Sequence, residues 1–140
     1  MNDAIKILGI ANKAGKIEAG EEPCGAAARA RWAKAIFAAC DAADNTLRRA
    51  KHFSEIGNCE FVVTPFSKDD IGTMIGRTSC AVLAVCDAGF AALLLKKLAE
   101  QEPEKYSEAA ERLKAKSDKA LQRKKEKRAH EKNVKMGKKK

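Results

Sequence analysis

The chain contains no uninterrupted apolar run of 18 residues, so no stretch of it reads as a membrane-spanning helix. Its start, Met1-Asn2-Asp3, has no basic segment leading into a hydrophobic one, which argues against a secretory leader. The five cysteines (Cys24, Cys40, Cys59, Cys80 and Cys86) include no C-x-x-C pair. The closely spaced ligand pairs of a four-sulfur zinc site are therefore missing, and the odd count does not suit a secreted disulfide framework. Cys40, Cys80 and Cys86 sit among Ala, Val and Leu and read as small, buried, reduced residues. That reading places the protein in the cytoplasm.

Catalytic signals are equally scarce. The two histidines, His52 and His130, lie in a polar helical stretch and in a polar tail. Each reads as a surface residue. Asp69 and Asp70 are adjacent, so a helix points them apart. Asp41 and Asp44 are better explained by a turn followed by a helix cap. Gly15-Lys16 lacks both the glycine spacing and the following Ser or Thr of a phosphate-binding loop. No nucleophile, base and orienting residue form a set. The expectation is a protein that is not an enzyme and needs neither cofactor nor metal.

What is present is an uneven charge. The 140 residues carry 28 Lys and Arg against 19 Asp and Glu, a net +9. Residues 1–100 hold 13 basic and 12 acidic side chains, whereas 101–140 hold 15 and 7. This length admits one small domain with an appendage. The expected division is a nearly neutral domain over 1–100 and a basic helical or disordered tail over 101–140. Such a tail suits a polyanion.

Apolar periodicity and the punctuating residues set the element order. A helix is expected over 3–13 and ends near Gly15; a short strand over 16–19 leads to a turn at Gly20. Glu21, Glu22 and Pro23 open a second helix that runs to Arg31, since acidic residues and Pro suit a helix start. A strand over 34–40, a helix over 44–56 and a strand over 60–64 follow. Ser67 caps a helix that Gly76 stops. The loop Arg77, Thr78, Ser79 leads to a strand over 80–86, and Asp87 caps a helix over 88–99. Alternation of this kind implies an α/β fold with helices on both faces of a sheet. Beyond Pro103 the residues favour helix, but Tyr106, Ala109, Ala110, Leu113, Ala120 and Leu121 give only a thin apolar stripe. Lys138, Lys139 and Lys140 are expected to be mobile.

A glycine turn before a helix start leaves backbone N–H groups free to meet phosphate oxygens. Lys16, Arg29 and Lys34 would add positive charge there if their elements converge on Gly20. Glu21 and Glu22 repel phosphate but can accept hydrogen bonds from base amino groups. The bland reading of the same residues is simple helix capping.

Several ordered motifs carry a resemblance: Ile7-Leu8-Gly9-Ile10-Ala11-Asn12-Lys13-Ala14-Gly15-Lys16, Gly20-Glu21-Glu22, Ala33-Lys34-Ala35-Ile36-Phe37-Ala38-Ala39-Cys40-Asp41-Ala42, Asp44-Asn45-Thr46, Ile71-Gly72-Thr73-Met74-Ile75-Gly76-Arg77 and Val82-Leu83-Ala84-Val85-Cys86-Asp87-Ala88-Gly89-Phe90-Ala91. Over residues 3–100 the chain resembles the archaeal and eukaryotic ribosomal-protein superfamily that binds kink-turn RNA. It is most similar to that superfamily's small bacterial, ribosomal-protein-like RNA-binding members. The resemblance implies a three-layer α/β/α sandwich around a mixed four-stranded sheet. It also implies a site in which Gly20 admits RNA to the backbone and Glu21 and Glu22 occupy the base-reading side. Arg29 and Lys34 would touch phosphate or sugar, and the loop Arg77, Thr78, Ser79 would pack on an extruded nucleotide.

The chain departs from that pattern at four positions. Glu22 stands where archaeal members have Asn. Pro23 stands where archaeal members have Glu and bacterial ones an aliphatic residue. Ala26 and Trp32 replace commonly basic positions. Trp32 would either stack on a base or cover a hydrophobic edge, and the second is the preferred expectation. The implied function is non-catalytic recognition of structured, kink-turn-like RNA by a ribosome-associated monomer, with ribosomal RNA and ribosomal proteins as partners. The alternative is a protein-interaction scaffold on the same fold with a non-specific basic tail.

Overall fold

The structure is a computed structural model that describes residues 3–137, with side chains through residue 127. The expected mobility of Lys138, Lys139 and Lys140 and the side chain of His130 lie outside the described residues. The elements are α1 (Asp3–Lys13), β1 (Ile17–Ala19), α2 (Glu21–Arg29), β2 (Ala35–Ala38), α3 (Asp44–Gly57), β3 (Glu60–Val63), α4 (Lys68–Ile75), β4 (Val82–Val85), α5 (Ala88–Gln101) and α6 (Pro103–Gly137). Local chemistry sets most boundaries. The Ser67 hydroxyl accepts from the Asp70 N–H at 3.1 Å, and the Asp87 carboxylate accepts from the Phe90 N–H at 2.9 Å. Gly76 ends α4 in the left-handed conformation. Several boundaries differ from expectation: α2 stops at Arg29, where Arg31 turns the chain with φ 63°, β2 and β4 are shorter at both ends than expected, and α5 runs on to Gln101.

The sheet order is β1-β4-β2-β3. β4 runs antiparallel to both β1 and β2, while β2 and β3 are parallel, so the sheet is mixed as expected. The two central strands, β2 and β4, are buried along their whole length. Coverage on both faces explains why they read as continuous apolar runs instead of alternating ones. Side chains still alternate between faces. Ile36, Val82 and Ala84 join Cys24, Ala27, Ala28 and Ala50 beneath α2 and α3. Ala35, Phe37, Leu83 and Val85 face the other way, towards a larger cluster with Ile5 and Leu8 of α1, Ile71 of α4 and Leu94 and Leu98 of α5. The result is the α/β/α sandwich.

The basic segment forms one helix, α6, whose first turns join the larger cluster. Tyr106 and Leu113 are buried in it. The Tyr106 hydroxyl donates to the Val63 carbonyl at 3.0 Å, and Arg112 grips both carboxylate oxygens of Glu60. Residue 100 lies next to the α5–α6 corner, and apolar packing continues past that corner to Leu113. Beyond that the stripe fails: Leu121 is exposed, as is every side chain from there to Lys127. A helix this polar adds no second core, but its start completes the first.

The cysteines do not form one buried set. Cys24 and Cys80 are buried, Cys59 and Cys86 are half-buried, and Cys40 is exposed just beyond β2. Burial pushes the Cys24 thiol up to about 12 and the Cys59 thiol up to about 11. The thiolate is the reactive form. With an aromatic disulfide reagent at pH 8, Cys40 should therefore label first and Cys24 last, with Cys24 reacting at the unfolding rate. Peptide mapping of a labelling time course checks this; early modification of Cys24 would contradict it.

Candidate nucleic-acid interface

Because β1 and β4 are antiparallel, the end of β1 lies beside the start of β4. Gly20 donates its N–H to the Val82 carbonyl at 2.9 Å, and the Cys80 thiol also reaches the Gly20 backbone. The turn that opens α2 and the loop that precedes β4 are thus neighbours at one end of the sheet. Gly20 has φ 103° and ψ 162°, a region that a side chain strongly disfavours. No side chain caps α2. Its first-turn N–H groups at Glu21 and Glu22 have no acceptor within the helix, so they suit an incoming anion.

The two carboxylates of this turn differ. Glu21 is half-buried, and Arg49 of α3 donates to it at 2.9 Å. A hydrogen bond with the Thr46 side chain, joined by the Arg49 guanidinium, holds the Glu21 carboxyl below its usual range against the opposing effect of burial. Glu21 therefore fastens the turn to α3. Glu22 is exposed and forms no salt bridge among the described residues. It is the better placed of the two to accept a base amino group.

Arg77, Thr78 and Ser79 are exposed beside this turn. Their path is set by Gly72, whose role sequence reasoning missed. The Arg77 N–H donates to the Gly72 carbonyl at 2.7 Å, and the Cys80 N–H donates to the Lys68 carbonyl at 2.9 Å. The loop closes so tightly on α4 that a β-carbon at position 72 would lie 2.6 Å from the Ser79 Cα. A glycine inside an otherwise regular helix was the available signal. Asp41 accepts from the Lys68 N–H at 2.8 Å and so secures the start of α4, a contact the turn reading did not foresee; Asp44 does not cap α3, which begins after Ala43 with no side-chain cap.

The remaining expected residues do not join this group. The Lys34 N–H bonds to the Val85 carbonyl, and the Cys86 N–H bonds to the Lys16 carbonyl, at 2.9 and 2.8 Å. Lys16 and Lys34 converge with each other at the opposite end of the sheet, about 13 Å along the strands from Gly20. They line a hollow of about 280 Å³ with Arg31 and Trp32. Arg29 ends α2, about 12 Å from Glu21 along its axis, and its guanidinium folds back towards Gly25. Trp32 is 65% exposed, so it does not cover a hydrophobic edge. His52 is exposed, as expected. Among the described residues, no group of three or more His, Cys, Asp or Glu could hold a metal ion, and no helix is long and apolar enough to cross a membrane.

No family model matches the chain. The chain is 37% identical over 91 residues to RNA-binding protein YlxQ of Enterococcus faecium, covering 63% of this chain and 84% of that protein. It is 31% identical over 96 residues to RNA-binding protein YlxQ of Bacillus subtilis (strain 168), covering 66% and 91%. A Bacillus halodurans protein of unknown function superposes with a TM-score of 0.65 at 22% identity, covering 70% of this chain and 98% of that one. The Giardia lamblia 15.5kD RNA binding protein superposes with a TM-score of 0.55 at 14% identity, covering 71% and 84%. At such low identities the two structures speak for the fold alone. The sequence relatives support the bacterial side of the expected kinship, not the archaeal and eukaryotic one. By its identity to both YlxQ proteins, and by its coverage of most of their length, the chain belongs to the family of RNA-binding protein YlxQ.

Proposed function

We propose that the protein binds structured RNA and recognises a kink-turn-like bend without catalysing a reaction. The observation that carries this reading is the juxtaposition of the uncapped α2 start at Gly20, Glu21 and Glu22 with the exposed loop of Arg77, Thr78 and Ser79. Backbone N–H groups meet phosphate, Glu22 accepts from a base edge, and the loop packs against a nucleotide turned out of the stack. Such contacts read shape more than sequence. Membership of the YlxQ family supports RNA as the ligand. The protein acts as a monomer in the cytoplasm, with ribosomal RNA and its associated proteins as partners.

Titrating the chain with a kink-turn RNA and with a straight duplex of equal length, over a range of salt, tests the reading. The kink-turn should bind at least about tenfold more tightly, a difference of about 1.4 kcal/mol. The preference should persist at high salt, where contacts that only neutralise phosphate weaken. Equal affinity for the two RNAs would sink the shape-specific claim.

A further inference from the structure

We propose that the opposite end of the sheet carries a second RNA site, a phosphate-binding cleft closed by α6. The proposal rests on the RNA-binding reading above and extends it. Arg31, Lys34, Lys116, Lys119 and Arg123 line one cleft of about 430 Å³, and no carboxylate lines it. Its walls come from three distant parts of the chain. Arg31 and Asn58 turn the ends of α2 and α3 in left-handed conformations, with φ 63° and 51°. Lys116, Lys119 and Arg123 repeat at helical spacing on the face of α6 turned towards them. Lys34 and Lys116, from opposite walls, both act electrostatically on the Cys59 thiol between them.

Two nearby carboxylates are committed elsewhere. Arg112 holds Glu60, and Asp87 caps α5. Glu18 lines the adjoining hollow together with Lys16, Trp32, Arg31 and Lys34, and so stands beside the cleft without lining it. None of the five cations of the cleft forms an ion pair among the described residues. Five like charges lining a cleft with no carboxylate in its wall and no ion pair repel one another, and an anion would relieve that repulsion. The α6 wall from Lys116 to Arg123 extends about 10 Å, longer than a single phosphate group. A nucleic-acid strand, with one charge about every 3.4 Å of helix axis, matches that length. Trp32 stands exposed beside the cleft, where a base leaving the backbone can stack on it. The Gly20 end would then hold the bend while the cleft holds a flanking stretch of the same RNA.

Trp32 is the single tryptophan, so its fluorescence reports on this end of the molecule. The full chain is titrated with a kink-turn RNA carrying a flanking strand. It is compared with the triple variant Lys116→Gln, Lys119→Gln, Arg123→Gln and with Lys124→Gln, Lys125→Gln, Lys127→Gln, which removes as much charge from α6 outside the cleft. Circular dichroism confirms that all three are equally folded. The expected result is quenching of Trp32 in the parent and control proteins and its loss in the cleft variant. The slope of log affinity against log salt should shrink by about 2 to 3 in the cleft variant and by less than about 1 in the control. Unchanged Trp32 emission at RNA saturation, or equal losses in the two variants, overturns the cleft. So does quenching by polyglutamate but not by RNA, which would assign the cleft to an acidic protein. Loss of kink-turn preference with the cleft effects intact overturns the shape reading while supporting the cleft. Absence of RNA binding by any measure overturns both.

Discussion

Leu113→Ala should destabilise the fold by about 2–5 kcal/mol, the range for removing a large buried aliphatic side chain. Leu113 is wholly buried although it lies thirteen residues into the polar segment expected to be a tail. It fills the larger core cluster together with Leu94, Leu95 and Leu98 of α5. Its loss leaves a cavity between α5 and α6, which backbone relaxation closes only in part. Leu121→Ala is the matched control on the same helix. Leu121 is 54% exposed, so its removal should change stability by no more than about 0.5 kcal/mol. Urea denaturation of both variants measures the difference. Equal midpoints would mean that α6 does not pack on the domain as the structure shows.

Gly72→Ala should displace the loop of Arg77, Thr78 and Ser79 and weaken RNA binding. The added β-carbon would stand 2.6 Å from the Ser79 Cα and 2.8 Å from its backbone N, both main-chain atoms that cannot rotate away. Either α4 or the loop must shift, at a cost of about 1–3 kcal/mol for forcing atoms into a packed region. Kink-turn affinity should fall at least about tenfold, because the loop forms half of the proposed site. Gly15→Ala separates strain from clash. Gly15 has φ 73° with nothing within 4 Å of an added β-carbon, and it lies at the other end of the sheet. That variant should lose about 1–2 kcal/mol of stability while keeping its kink-turn preference. A Gly72 variant that binds the kink-turn as tightly as the parent would remove the loop from the site.

The same contrast separates what was legible in the residues from what was not. Helix starts at Ser67 and Asp87 and the stop at Gly76 were readable, because each depends on a side chain and the backbone within a few residues. The uncapped glycine turn at Gly20 was readable for the same reason. The grouping of Lys16 and Lys34 with that turn was not. Both are near Gly20 or α2 in sequence, but strand pairing places them at the far end of the sheet. Gly72 breaks the helix pattern of α4 as a residue, but only the loop that closes over it shows why no β-carbon fits there.

The amino-acid sequence by itself determined the element order, the two all-apolar central strands and the concentration of charge after residue 100. These follow from hydrophobic periodicity and local backbone preference, which act over a few residues. Only the tertiary structure decided that β4 inserts between β1 and β2, bringing the loop of Arg77 to Gly20. It alone decided that Tyr106 and Leu113 belong to the core, and that three cations of α6 face Arg31 and Lys34. Those arrangements depend on contacts between residues tens of positions apart, where packing and excluded volume select partners that no local pattern names.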